Sequence, residues 1–180
     1  MVKSLPTSPI DDTLRRVLSR TRSTGPLEPG LARLADLVCV EATPERILHV
    51  GGSDRTAADL CRAFPSAIVH GVDDLDPSEV RRLGIDTLIA PYHLSRRNPG
   101  YEETLDAMWD ALPPGGTIGV VDYHDAASDR FATYMGHVHH VRMAGHLIPA
   151  LRERFLPLHV NLSTPFLGLW RICTFVGRKV

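Results

Sequence analysis

Residues 46 to 54, Arg46-Ile-Leu-His-Val-Gly-Gly-Ser-Asp54, carry an apolar strand straight into a double glycine. A helix-like segment follows from Thr56 to Phe64, and a second strand, Ala67-Ile-Val-His-Gly-Val-Asp-Asp74, ends in acid. Strand, glycine turn, helix, strand, acid is the layout of a βαβ unit that can receive a nucleotide. Its glycines let the backbone approach a ligand closely, and the N-terminus of its helix offers free N–H groups. The terminal acid can accept hydrogen bonds from ribose hydroxyls. The unit therefore commits the chain to parallel strands and puts any ligand at one end of one sheet. A full dinucleotide fingerprint would have glycine where Ser53 and Arg55 stand.

The rest of the chain keeps this alternation. Asp76-Pro-Ser-Glu reads as an N-cap, a proline at the first helical position and an early acid, so a short helix is expected over 76–83. Thr87-Leu-Ile-Ala-Pro91 is a third strand. Leu105, Met108, Trp109 and Leu112 mark one face of a helix over 101–112. Pro113-Pro-Gly-Gly116 breaks it, and Thr117-Ile-Gly-Val-Val121 is a fourth strand. Residues 128–155 read as mostly helical with a break near Gly145, and 158–162 and 169–176 as closing strands. Upstream, Leu14, Val17 and Leu18 mark a helix over 11–22, and Leu31, Leu34, Leu37 and Val38 a second over 31–40. Strands alternating with helices imply an α/β chain with a mainly parallel sheet covered on both faces. The expected organisation is an N-terminal tail with cap helices over 1–45 and one domain over 46–180.

Composition narrows the classes. A chain of 180 residues can bury one sizeable core and is short for two. A formal net charge of −1 gives no global attraction to nucleic acid or to an anionic membrane. Cys39, Cys61 and Cys173 are odd in number and lack metal-site spacing, so they read as reduced core residues. No apolar stretch approaches spanning length and no signal core opens the chain, which leads us to expect a cytoplasmic protein without an integral membrane segment.

Three segments together resemble the class I S-adenosylmethionine-dependent methyltransferases. They are Ile47-Leu-His-Val-Gly-Gly52, Phe64-Pro-Ser-Ala-Ile-Val-His-Gly-Val-Asp73 and Leu112-Pro-Pro-Gly-Gly-Thr-Ile-Gly-Val-Val-Asp122. With the closing strands they span residues 46 to 178. The resemblance implies a Rossmann-like three-layer fold, S-adenosylmethionine as cofactor and a small-molecule acceptor for its methyl group. It places the cofactor on His49, Gly51, Gly52 and Ser53, with the ribose on Asp73 or Asp74. The chain departs from the family in three ways. His49 stands where an acid usually holds the cofactor's amino end, Ser53 and Arg55 replace later glycines, and only thirteen residues separate Asp73 from Thr87. A crossover with its helix needs about 10–12 residues. One helix fits there, and the strand and second helix the family normally adds do not, so one edge strand of the sheet is expected to be missing.

Two further clusters carry chemistry. His124 sits in Asp122-Tyr-His-Asp125, just past the expected end of the fourth strand, where open α/β sheets place ligands. A histidine there can move a proton near neutral pH, and Asp122 or Asp125 can orient it. Tyr92 and His93 follow the third strand at the same sheet edge and read either as acceptor-side residues or as the start of a loop. His137, His139 and His140 suggest a metal, but only His137 and His140 share a helical face, and no metal site is expected. Phe166, Leu167, Leu169 and Trp170 read either as core or as a dimer surface. An alternative to the enzyme is a degenerate, non-catalytic relative serving as partner or scaffold, supported by His49, the altered glycine motif and the missing strand.

Overall fold

The computed structural model describes residues 29–97, 100–139, 141, 145–164 and 168–180. Helix α1 (Pro29–Glu41) leads into β1 (Arg46–Val50), α2 (Asp54–Ala63), β2 (Ile68–Val72), α3 (Pro77–Leu83) and β3 (Thr87–Pro91). A 3₁₀ turn (Leu94–Arg96), α4 (Tyr101–Ala111), β4 (Thr117–Ala126), α5 (Asp129–His139), α6 (Leu147–Arg154), β5 (Leu156–Ser163) and β6 (Trp170–Arg178) complete it. The helix expected over 11–22 lies outside the described residues, as do His140, Phe166 and Leu167.

The six strands form one sheet in the order β2-β1-β3-β4-β6-β5. The first four strands in that order run parallel, and β6 is antiparallel to both β4 and β5. Strand order reverses at β1: the chain steps outward to β2, then returns to lay β3 on the other side. In open α/β sheets the crevice at such a reversal, beyond the carboxyl ends of the strands, receives ligands. Only α3 lies between β2 and β3, so β2 is an edge strand, as the thirteen-residue spacing anticipates. The strand contains no Asp, Glu, Lys or Arg, and its Ile68 is 54% exposed.

Two apolar clusters cover the two faces. One joins Leu48, Leu88, Ile118 and Phe175 to Val80 of α3, Leu105 and Met108 of α4, and Leu147 and Leu151 of α6. The other joins Ile47, Ile89, Val121 and Ile172 to Leu34 and Val38 of α1, Leu60 of α2, and Phe131 and Met135 of α5. Adjacent residues of β1 supply both clusters, Ile47 one and Leu48 with Val50 the other, which is why the strand is buried on both faces. Gly119 lets α1 lie close on β4, since a side chain there would press on Leu34 and Val38. Lys179 fixes the end of α4: its ammonium donates to the carbonyls of Trp109 and Leu112 and sits 4.7 Å above the Trp109 ring.

Some boundaries differ from those the sequence suggests. Strand β4 continues to Ala126, so His124 lies inside the strand and not beyond it. Pairing with β6 extends that far because Trp170 and Arg171 supply partners for Ala126 and Asp125. Cys39 and Cys61 are exposed, on outward positions of α1 and α2, and only Cys173 is core. Trp170 is buried against Phe131, ring stacked on ring at 5.5 Å, so this part of the terminal apolar patch is core. No described helix is long and apolar enough to cross a membrane.

Phe155, fully enclosed and edge-on to Trp109, joins α6 to the sheet. Phe155→Ala is expected to cost about 3–5 kcal/mol in denaturant unfolding, with little change in the slope of the transition.

Candidate functional site

The crevice at the reversal is built from the ends of three strands. Strand β1 ends at Val50 and turns through Gly51, whose φ of 71° lies in the left-handed region that glycine adopts without strain. The Gly51 N–H donates to the Val72 carbonyl at 2.8 Å, tying this turn to the end of β2. Ser53 caps α2. Its hydroxyl accepts from the Thr56 N–H and the Thr56 hydroxyl accepts from the Ser53 N–H, a closed capping box. Ser53, where a full glycine fingerprint would have glycine, is thus the residue that starts the helix.

The two glycines face imidazole rings. A Cβ on Gly51 would overlap Nδ1 of His93, and one on Gly52 would lie 2.6 Å from Nδ1 of His49. His49 also faces its cross-strand partner Gly71, where a Cβ would come within 2.5 Å of Nε2. His49 is therefore wedged between β2 and the turn, 3% exposed, and neither ring nitrogen has a hydrogen-bond partner among the described residues. Burial pushes its pKa down, against the opposing charge of Asp54, so the ring is neutral at ordinary pH. His93 follows β3 and is 6% exposed. Burial lowers its pKa first and Arg96 second, with Asp73 opposing. Tyr92, just before it, is the one non-glycine among the described residues with positive φ, at 52°. Its N–H donates to the Val121 carbonyl at 2.7 Å and its ring tilts against Tyr123.

The acids separate into different roles. Asp73 is exposed at the end of β2. Asp74 is ion-paired with Arg97. Asp122 is fully buried and accepts from the backbone N–H groups of Ser95 at 3.0 Å and Tyr123 at 2.7 Å. It therefore pins the 3₁₀ turn after His93 to β4. Burial raises its pKa to about 6, while the Ser95 side chain and the N–H groups of Ser95 and Tyr123 oppose the rise. Asp125 forms an ion pair with its cross-strand neighbour Arg171, which holds its carboxyl below the usual range.

His124 occupies the irregularity in β4 where pairing slips between Tyr123 and Asp125, a bulge of the kind that re-aims a side chain. Its Nδ1 is buried without a partner. Asp122 and Asp125 thus flank His124 in sequence but hydrogen-bond elsewhere. Arg97 and Arg171 are the partners the sequence reading missed. They lie 23 and 46 residues from the acids they bind, and no local pattern marks either. His137 is exposed, and no group of three potential metal ligands occurs among the described residues.

No protein-family model matches the sequence, and neither does any curated protein sequence. Solved structures do match the fold. Geranyl diphosphate methyltransferase in complex with S-adenosylmethionine superposes with a TM-score of 0.64 at 12% identity, over 97% of this chain and 92% of that one. The 1,6-didemethyltoxoflavin-N1-methyltransferase of Burkholderia thailandensis, with bound 1,6-didemethyltoxoflavin and S-adenosylhomocysteine, gives 0.61 at 17% identity, over 99% and 93%. The phosphoethanolamine N-methyltransferase 2 of Haemonchus contortus, in complex with phosphomonomethylethanolamine and S-adenosylhomocysteine, gives 0.63 at 13%, over 82% and 52%. The chain has the Rossmann-like fold of the class I methyltransferases.

Two predictions follow from the packing of the rings and acids. Gly71→Ala is expected to destabilise the protein by about 1–3 kcal/mol through its clash with His49. Most of that cost should vanish in a His49→Ala background, a coupling that a double-mutant cycle of unfolding measurements reads directly. For Asp122 the folded pKa is raised, so the native state keeps a proton that the unfolded chain releases between about pH 4 and 6. Its stability contribution is fullest below about pH 4 and is lost as pH rises through about 6. Relative to Asp122→Asn, the wild type should lose about 3 kcal/mol across that window in unfolding titrations.

Proposed function

We propose that this protein binds S-adenosylmethionine at the β1/β3 reversal and transfers its methyl group to a small-molecule acceptor. The observation that carries the reading is the strand order itself, with a positive-φ glycine turn at the reversal and an exposed Asp73 on the neighbouring strand end. The residues present suit the nucleoside half of the cofactor: Asp73 offers two carboxylate oxygens to a ribose diol, beside a turn that the backbone keeps low. They do not suit the amino-acid half, where His93 stands over Gly51 and neutral His49 replaces an acid. Gly52 and Ser53 contribute backbone to the turn, and Asp74, already paired, holds Arg97 beside it.

When bound, the cofactor supplies an electrophilic methyl group, and transfer needs mainly alignment and exclusion of water. His124, re-aimed by the bulge, is the candidate base for an acceptor hydroxyl or amine. Asp122 and Asp125 serve that site by position: Asp122 anchors the turn carrying His93, and Asp125 with Arg171 locks β4 to β6. The structurally similar methyltransferases act on chemically varied small molecules, which supports the acceptor class without naming the acceptor.

A second reading, a non-catalytic partner or scaffold protein, is favoured by the same two imidazoles and by the free edge of β2 with its exposed Ile68. Pairing of that edge with a second copy or another chain is how such a protein would associate.

Calorimetric titration with S-adenosylmethionine and S-adenosylhomocysteine separates the two. Binding is expected, and Asp73→Asn should weaken it roughly tenfold by loss of a charge-assisted hydrogen bond. Absence of binding to either compound at millimolar concentration would sink the transferase reading in favour of the partner.

A further inference from the structure

We propose that the site grips the nucleoside half of its ligand and leaves the amino-acid half almost unheld, so that an adenosine thioether without an amino-acid tail binds about as tightly as S-adenosylhomocysteine. The inference rests on the cofactor reading above and assigns His93 and His49 as the residues that set this specificity.

The cofactor reading sets the direction in which the ligand lies. Asp73, the exposed acid suited to a ribose, follows β2. With the ribose there and the ligand laid over Gly51 and Gly52, the 5′ substituent crosses the β1 turn, which lies between β2 and β3 in the sheet. The first side chain it meets is His93, whose ring already fills the space above Gly51. The 3₁₀ turn behind that ring is tied down by the bond from the Ser95 N–H to buried Asp122, so the backbone cannot easily carry His93 away.

Among the described residues, the same end of the crevice offers no buried counter-charge for an ammonium group. His49 stands at the strand position next to the turn, but its ring is sealed between Gly52 and Gly71, with both nitrogens buried. It presents neither a carboxylate nor an accessible nitrogen. Asp74 is committed to Arg97. Asp54 is exposed on the first turn of α2, where solvent screens an ion pair to little net value. Among the described residues the ammonium of an amino acid tail therefore finds no buried carboxylate at the turn, and the tail must compete with an imidazole for space.

The test compares S-adenosylhomocysteine with 5′-methylthioadenosine by calorimetry on the full chain. Dissociation constants within about fivefold of each other are expected, a difference under about 1 kcal/mol. S-Adenosylhomocysteine binding more than about fivefold tighter overturns the inference and leaves the cofactor reading standing. If neither compound binds, both fall together. His93→Ala, or His93→Asn should the alanine variant fail to fold, opens the space above Gly51. Either variant should move the affinity ratio toward S-adenosylhomocysteine by roughly threefold or more. A folded variant whose ratio stays at the wild-type value overturns the assignment of His93.

Discussion

The central strands of the sheet are buried on both faces, and the helices are arranged to keep water from them. All five residues of β3 are buried, and β1 and β4 send alternate side chains into two separate clusters. A strand buried on both sides cannot return through a tight hairpin without leaving one face bare, so each parallel step needs a covering helix. Helices α1, α2 and α5 close one face, and α3, α4 and α6 the other. With both faces occupied, only the strand ends remain to receive a ligand. The reversal at β1 then selects which ends diverge enough to make room.

That constraint explains how much was legible beforehand. The order of strands and helices, the missing edge strand and the position of the glycine turn follow from apolar spacing, prolines and a count of thirteen residues. Those signals are local, and local signals survive in a single sequence. The carboxyl half of β4 did not read as strand, because Asp122-Tyr-His-Asp125 looks like a loop until β6 is known to lie beside it. The exposure of Cys39 and Cys61 was likewise hidden, since it depends on which helical face meets the sheet. The bonds from Asp122 to the Ser95 N–H and from Asp125 to Arg171 join distant segments, and no spacing announces them.

The glycines illustrate the same gap between pattern and packing. In sequence, Gly51 and Gly52 suggest a backbone thinned for a ligand. In the fold, their open sides are taken by His93 and His49, and Gly71 on β2 completes the enclosure of His49. Two neutral imidazoles thus occupy ground that the pattern alone would leave vacant. Each glycine is needed for a neighbour inside the protein, whatever else approaches from outside. A motif records where the chain must lack a side chain, but the reason for the lack is visible only once the neighbours are placed.

The placement of β6 between β4 and β5 has a consequence for synthesis. Strand β5 pairs, among the described residues, with β6 alone, yet it precedes β6 in the chain. On the ribosome it emerges before the strand that will hold it, while β1 to β4 can already assemble with their helices. The antiparallel half must therefore fold late, with Leu158 and Val160 unsheltered until β6 slides into the gap. A ribosome paused before residue 170 would hold a nascent chain whose parallel half is built and whose other half is still open to misassociation.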